Sequence, residues 1–565
     1  MISIHELLIQ FIYKYKITFI FYIVFTAILY PLHHIIMPDY YGKVISSFKD
    51  KTNLFDMVKM LLYLYIITRF IDDIVLYFQY LIVPNFSEYI TGKIFSFILN
   101  NYDYDFENIK VGEIISKMTK MPDILFDYVD VFRIDVLKQI FVFGAALLHY
   151  ITISKTIVNV FIVYIIIHYI YFFIMFKSFY SYNKEVNIFQ DNVYEYLNDT
   201  MQNMSSVYSL NQQEYEKKRF YDHSFKDYKK IFGASYLAYL YSYGAWALVN
   251  ISMFIIMNYI LYKSYKNKKI TSGQLVSSFV ITWSILSLYQ KAIDSAWNLS
   301  AVWGSLFNAQ DFFNKTYNNN KSVKSLKSPK GPNSVNSDKE SGLGFKNGDI
   351  VISSVYHKYS LGDASNDFVL ENISMKIKKG EKIAFVGKIG SGKSTLIKLI
   401  MGYQPLILGS ITIGGVSINE ISNDEIRKNI FYIPQKPKLF NRTLYENIIY
   451  GIEKSKQPTK DQIYDIMSLY GLSFGIDIDE NVGLEGNSIS GGQRQMVWLL
   501  RSLLSSAYIL IMDEPTSALD PDNKKLITSI IKKISVGKTV IIVSHDSIDP
   551  EFKQIHFTDG RLHNY

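Results

Sequence analysis

Cysteine is absent from the 565 residues, which rules out disulfides, thiolate zinc sites and cysteine nucleophiles and leaves the redox compartment undetermined. Charge is scarce too. Asp, Glu, Lys and Arg make up 19% of the chain against 49% apolar residues, with 45 Tyr and 38 Phe. The charges sum to +8, yet the lysines are scattered among acids and form no basic stripe interleaved with aromatics, so nucleic acid is not an expected partner. Loop solvation and contact with a membrane surface account for them. A cleavable signal peptide is also lacking: the first apolar run, Ile17 to Met37, is too long for an h-region and has no small-residue cleavage site. It reads as a membrane span.

The composition is divided along the chain. Long uncharged apolar stretches precede about residue 300, and a charge-mixed, Gly-punctuated pattern follows. Windows of about 20 apolar residues, enough to cross a bilayer, run near 17–37, 57–83, 134–153, 156–176, 234–262 and 274–297, giving about six spans. Ser154 and Lys155 alone separate the third from the fourth, which predicts a tight helical hairpin. The stretches 84–133 and 177–233 keep helical periodicity while carrying many Lys, Glu and Asp, and so read as helices continuing out of the bilayer. An even span count places the N-terminus, both long stretches and the C-terminal region together on one side of the membrane. The loop Tyr262 to Lys269, with four lysines and no acid, runs against the usual charge bias of an external loop.

Arg69, Asp72 and Asp73 stand at i, i+3 and i+4 within the second span. Charges in hydrocarbon are costly, so these are either a substrate or coupling-ion contact or a self-neutralised cluster lining a water-filled vestibule. His33, His34, His149 and His168 fall on three different spans without ligand spacing, which points to polar packing rather than a metal site. Trp246, Trp283 and Trp297 read as packing or interfacial residues. The organisation expected is a helical transmembrane domain over 1–313, an Asn-, Ser- and Lys-rich linker over 314–346, and an α/β domain over 347–565.

In that last domain an apolar strand, Ile383 to Val386, leads into Gly387-Lys388-Ile389-Gly390-Ser391-Gly392-Lys393-Ser394-Thr395, and a helix-like run follows from Leu396. Strand, G-x-x-x-x-G-K-S and helix together form a phosphate loop. Glycines let backbone amides approach the phosphates, Lys393 neutralises the β- and γ-phosphates, and Ser394 offers a hydroxyl to Mg²⁺. A second apolar strand, Tyr508 to Met512, ends in Asp513 and Glu514. Asp513 at the strand tip suits a Mg²⁺ contact, and Glu514 suits a general base acting on the attacking water. Between these lies Ser490-Gly491-Gly492-Gln493, followed by an apolar run from Met496 to Leu504.

A Ser-Gly-Gly-Gln between a phosphate loop and an Asp-Glu strand resembles the ATP-binding-cassette (ABC) transporters, and the resemblance covers 347–565. It implies that Tyr359 stacks on adenine, that Gln435 is the Q-loop glutamine sensing Mg²⁺ and water, that Ser517-Ala518-Leu519-Asp520 is the D-loop, and that His545 is the switch histidine at the γ-phosphate. Ile109 to Met118 and Asn441 to Ile448 are similar to exporter segments, so the chain resembles an exporter-type half-transporter, one six-span domain fused to one P-loop ATPase domain. Two departures stand out: Ile489 replaces the usual Leu before the signature, and Asn481 stands where an acid is usual.

The resemblance further implies that the phosphate loop of one copy meets Ser490, Gly491, Gly492 and Gln493 of another. A second half-transporter, as homodimer or heterodimer, is therefore expected, embedded in membrane lipid, with cytosolic tips near 100–110 and 205–212 transmitting the ATP cycle to the spans. The cargo stays open among lipid, peptide and amphipathic small molecule. An ATP-gated channel or regulatory membrane protein on the same fold is the alternative.

Overall fold

A computed structural model describes residues 3–50, 54–101, 111–327, 344–358, 368–516, 519, 521–545 and 550–563. The chain divides into two compact units that meet in sequence at Tyr317 and Asn318.

The first unit is helical: α1 (Ile4–Lys14), α2 (Lys16–Pro31), α3 (Met37–Asp50), α4 (Leu54–Asn101), α5 (Val111–Val131), α6 (Lys138–Ile151), α7 (Lys155–Gln202), α8 (Met204–Ser209), α9 (Gln213–Phe220), α10 (Lys226–Lys266), α11 (Ser272–Gln290) and α12 (Ala292–Lys327). Three π-helical stretches, Leu32–Ile36, Phe132–Leu137 and Tyr221–Phe225, splice α2 to α3, α5 to α6 and α9 to α10. The first follows Pro31, whose missing N–H removes a bond from the regular ladder. Helices α4 and α7, with 48 residues each, are about 72 Å long at 1.5 Å per residue, more than twice a hydrocarbon core. That length is what the charged extensions beyond the second and fourth spans lead one to expect. Thr152 to Ser154 form the tight turn between α6 and α7, and the Ser154 hydroxyl accepts from the Thr156 N–H.

Among the described residues, Lys16–Ser47, Lys155–Gln202 and Tyr228–Lys266 are long and apolar enough by composition to cross a membrane. The other three expected spans fall on helices with polar interruptions. Helix α4 carries the Arg69 cluster, α6 is preceded by Arg133 and Asp135, and α11 is rich in serine. The sixth also ends sooner than its hydropathy suggests, since α11 stops at Gln290 and α12 begins after Lys291. Helix α12 in turn runs to Lys327, well into the stretch read as linker, of which residues 328–343 lie outside the described residues.

The packing of this unit is aromatic. The Trp246 indole N–H donates to the Tyr289 carbonyl at 2.6 Å and its ring stacks on Tyr171 at 4.6 Å. Where α3 crosses α11, a Cβ on Gly42 would lie 2.4 Å from the Gly273 carbonyl oxygen, so the approach depends on glycine at both positions.

The second unit holds two sheets. Strands β1 (Ile350–His357), β2 (Leu370–Ile377), β4 (Leu408–Ile413) and β5 (Val416–Ser417) form an antiparallel sheet in the order β2-β1-β4-β5. The other sheet, in the order β10-β9-β3-β8-β7-β6, uses β3 (Lys382–Gly387), β6 (Ile430–Ile433), β7 (Ile509–Asp513), β8 (Thr539–Ser544), β9 (Lys553–Thr558) and β10 (Arg561–His563). Its strands are parallel except for β10. Every residue of β7 and β8 is buried, as expected of strands covered on both faces. Helices α13 (Lys393–Ile400), α14 (Asn423–Asn429), α15 (Leu444–Ile448), α16 (Lys460–Tyr470), α17 (Gly491–Leu504) and α18 (Pro521–Ile534) complete the unit. Strands β3, β6, β7 and β8 all end at one edge of the sheet, where an open parallel sheet places its ligand.

Candidate active site

Of the residues singled out from sequence, that edge gathers the phosphate loop, Gln435, Asp513, Glu514 and His545. Strand β3 delivers Gly387, whose added Cβ would lie 2.3 Å from the Phe557 carbonyl oxygen, and the loop turns into α13 through Gly392 at φ +95°. A side chain at Gly392 would also stand 2.6 Å from Leu370 Cδ2, so backbone conformation and space both require glycine. Lys388, Ile389 and Gly390 form the exposed tip, with Ile389 89% exposed. The buried Lys393 folds back over the loop and donates to the carbonyls of Gly387 (2.8 Å) and Lys388 (2.7 Å) and to Ser391 Oγ (3.2 Å). Burial pulls its ammonium below the usual lysine range, against the pull of Glu514 and Asp513. A cation held over inward-turned carbonyls at a helix N-terminus fits the binding of a polyphosphate chain.

Asp513, at the tip of β7, is buried. Burial raises its carboxyl above the ordinary value, while a hydrogen bond from Ser394 works the other way. Tyr432 OH donates to its Oδ2 at 3.5 Å, a long contact. A serine hydroxyl tied to a carboxylate is a pair of hard oxygen donors, which fits Mg²⁺ shared with phosphate oxygens. Thr395 is buried beside them.

Glu514 follows in the left-handed region at φ +48°, held by its N–H donating to the Val543 carbonyl at 2.9 Å. This conformation is costly for a residue with a side chain, and it turns the carboxylate out of the strand. Gln435 Nε2 donates to Glu514 Oε2 at 2.6 Å, leaving the Gln435 carbonyl oxygen for a cation. On the other oxygen sits His545 Nε2, while His545 Nδ1 bonds the Gly387 carbonyl at 2.8 Å. Residues drawn from the ends of four strands thus form one connected path, Gln435 to Glu514 to His545 to the phosphate loop.

Ser490 caps α17. Its hydroxyl accepts from the Gln493 N–H at 3.2 Å, and Gln493 Oε1 accepts from the Ser490 N–H at 2.8 Å. Gln493 Nε2 also donates to the Phe474 carbonyl at 2.6 Å. Ser490 and Gly491 remain exposed at a helix N-terminus, where backbone N–H groups suit an anion. A Cβ on the buried Gly492 would lie 3.1 Å from Leu519 Cδ2. Tyr359, Ser517, Ala518 and Asp520 lie outside the described residues.

Asn481 has a local task. Its Oδ1 accepts from the Gly483 N–H at 2.8 Å, as a carboxylate oxygen would, and Asn481 bridges Thr443. The segment Asn441 to Ile448 is thereby stitched to 480–482, with Leu444 N–H donating to Glu480 at 2.9 Å and Val482 N–H to Arg442 at 3.0 Å.

Sequence reasoning passed over one pair. Arg501, buried in α17, donates from Nε to the Asn447 carbonyl (2.6 Å) and from Nη2 to Asn447 Oδ1 (3.2 Å), and its guanidinium lies 4.9 Å from the Trp498 ring centre. Burial pulls the guanidinium down to about 10, so it stays charged at neutral pH. Asn447 is fully buried and also bonds Phe440 and Thr443, which fixes the post-Q-loop segment to the signature helix. An arginine interrupting the apolar run Met496 to Leu504 was the available signal. Asn447→Ala is expected to lower the unfolding free energy of this unit by about 3 kcal/mol, since it removes several buried bonds and strips Arg501 of an acceptor; thermal unfolding of the purified chain checks it.

In the helical unit, the Arg69 cluster proves internally paired, with Arg69 to Asp72 at 3.0 Å and to Asp73 at 3.1 Å. The histidines pack as polar residues. His34 meets Ser284 (2.6 Å), His149 meets Ser278 (3.1 Å) and His168 meets Gln139 (2.9 Å). Among the described residues no group of three or more His, Asp or Glu is gathered for a metal.

Known proteins share both halves of this arrangement. Residues 20–287 match the ABC transporter transmembrane region and residues 370–517 match the ABC transporter family. The chain is 36% identical over 208 residues to the transport/processing ATP-binding protein ComA of Streptococcus pneumoniae, covering 36% of this chain and 28% of that protein. It is 37% identical over 202 residues to the probable multidrug resistance ABC transporter ATP-binding/permease protein YheI of Bacillus subtilis, covering 35% and 34%. With an ATP-dependent lipid A-core flippase of Francisella tularensis it shares 28% over 313 residues, covering 51% and 50%. The chain thus spans half or less of the length of these relatives. A bacterial Atm1-family ABC exporter solved with ATP bound superposes with a TM-score of 0.74 at 17% identity, over 98% of this chain and 95% of that one. With a transmembrane region and a phosphate loop, Asp-Glu strand and signature helix in family order, the chain belongs to the ABC transporters, and its fold is that of their exporters.

Proposed function

We propose that this chain hydrolyses ATP to drive export of an amphipathic cargo, acting as a dimer in which each ATP lies between the phosphate loop of one copy and the signature residues of the other. The connected path Gln435, Glu514, His545 and Gly387 carries the reading, because it joins a base, a histidine and a phosphate loop in one cluster. Lys393 turns from the loop carbonyls to the β- and γ-phosphates, and the loop amides hold the remaining oxygens. Mg²⁺, held by Ser394 and Asp513 with Gln435 nearby, supplies charge neutralisation of the phosphates when bound. Glu514 accepts the proton of the attacking water, His545 holds the γ-phosphate and orients Glu514, and Tyr359 and Asp520 complete the adenine and dimer contacts. Catalysis of this kind is largely positioning and charge stabilisation.

The exposed Ser490 and Gly491 favour a composite site, since they present helix N–H groups outward on a chain with one phosphate loop. The catalytic acid and the signature are both intact, which favours turnover over an ATP-gated channel. The relatives' names mention lipid A core and multidrug resistance, in keeping with an amphipathic cargo. Purified chain in liposomes is expected to raise its ATP turnover about two- to tenfold with one class among lipids, peptides and amphipathic small molecules. Turnover indifferent to all three classes would contradict the coupling.

A further inference from the structure

A cavity of about 430 Å³ in the helical unit has Tyr30, His33, His34, Arg69, Asp72 and Lys138 in its lining. One π-helical stretch contributes to that lining and another ends next to it. Leu32–Ile36 carries the two histidines, and Phe132–Leu137 ends immediately before Lys138. Such segments widen a helix and recur at functional sites. Arg69 stands about 22 Å along α4 from Leu54, and Lys138 about 20 Å along α6 from Ile151, at 1.5 Å per residue. Both distances are shorter than a hydrocarbon core of about 30 Å, in which ionisable groups are rare and tend to serve a function.

The charges around the cavity do not cancel locally. On α4 Arg69 pairs with Asp72 in the lining and with Asp73 next to it but outside the lining, so the cluster as a whole carries one surplus negative charge beside the cavity. The same lining holds Lys138, which makes no hydrogen bond or ion pair among the described residues; its ammonium lies over the Tyr30 ring, 4.8 Å from the centroid. Asp135 and Lys291 are its electrostatic neighbours, two cations to one carboxylate. Arg133 is already paired with Asp130 at 2.7 Å. The α4 cluster is therefore net negative and the group of charges about Lys138 net positive. Leu29, Met37 and the Tyr65 ring supply apolar lining beside them.

We propose that this cavity binds the zwitterionic headgroup of a lipid-like amphiphile, its ammonium at the surplus carboxylate of the Arg69, Asp72 and Asp73 cluster and its phosphate or carboxylate at Lys138. A purely anionic headgroup would meet repulsion from α4, and a purely cationic one would leave Lys138 without a counter-charge. The inference rests on the transport reading in taking this amphiphile as cargo.

The test is equilibrium binding to the full chain in maltoside micelles without nucleotide. Acyl-labelled palmitoyl lysophosphatidylethanolamine is the probe, displaced by the unlabelled lipid, by palmitoyl lysophosphatidic acid or by monopalmitoylglycerol. The zwitterion is expected to displace the probe about tenfold better than either competitor, the size of one charge-assisted contact. Lys138→Gln should erase its advantage over the uncharged lipid, and Asp72→Asn with Asp73→Asn its advantage over the anionic one. Lys138→Arg should keep the ranking, which separates loss of charge from loss of fold. Equal displacement by all three lipids, strongest displacement by the anion, or a ranking unchanged in both variants would overturn the assignment. A chain that binds the zwitterion without hydrolysing ATP would contradict the transport reading and leave this one intact, while turnover without headgroup preference would do the reverse.

Discussion

Glu514→Gln is expected to lower steady-state ATP turnover about 10²- to 10⁴-fold, the usual worth of a general base, while ATP binding stays within about threefold. The amide keeps the size of the carboxylate and still offers one oxygen to Gln435, whose Nε2 lies 2.6 Å from Glu514 Oε2. It cannot take a proton from water. The unusual backbone at φ +48° is retained, so the variant changes chemistry rather than placement. Single-turnover and binding measurements on the purified chain separate the two effects, and retained steady-state turnover would show that the proton goes elsewhere.

The second large effect concerns the composite site. Lys393→Ala removes the phosphate-binding cation, and Ser490→Arg blocks the signature end of α17 with a long charged side chain. Each variant alone is expected to lose nearly all turnover. Mixed in equal amounts, half of the dimers pair one variant with the other, and in these one of the two sites joins an intact Lys393 to an intact Ser490. About a quarter of the wild-type turnover should return. No recovery on mixing would contradict sites shared between copies, and full activity of either variant alone would remove its residue from the reaction.

The cassette was legible because its chemistry is written in short local patterns. Gly387 to Thr395, Asp513-Glu514 and Ser490 to Gln493 each need residues within one turn of one another, and the apolar runs before them become the strands β3 and β7. What joins those patterns was not legible. The contact of His545 with Glu514 and Gly387 and the bond from Gln435 to Glu514 depend on the β3-β8-β7-β6 strand order, a product of long-range pairing. The Arg501 and Asn447 pair, 54 positions apart, is of the same kind. In the helical unit, hydropathy located helices but misplaced their ends, and among the described residues three of the six expected spans are long and apolar enough by composition to cross a membrane. The Asn-rich stretch after Asn314 reads as loop by propensity, yet α12 continues into it as far as Lys327, a small cost per residue once a long helix is nucleated. The three π-helical stretches leave no periodic signature at all. The Arg69 cluster was readable only as two alternatives until its ion-pair geometry showed which carboxylates it holds.

The central claim, that ATP hydrolysis at this site moves a cargo across the membrane, is tested most directly by measuring flux and turnover on the same sealed proteoliposomes with ATP supplied on the cassette side. A labelled amphiphile is expected to move away from the ATP side in proportion to turnover in the wild-type chain, and to stop moving in Glu514→Gln although ATP still binds. Flux that persists undiminished in Glu514→Gln would mean that ATP binding gates a passive path, and the account of a hydrolysis-driven exporter would be wrong.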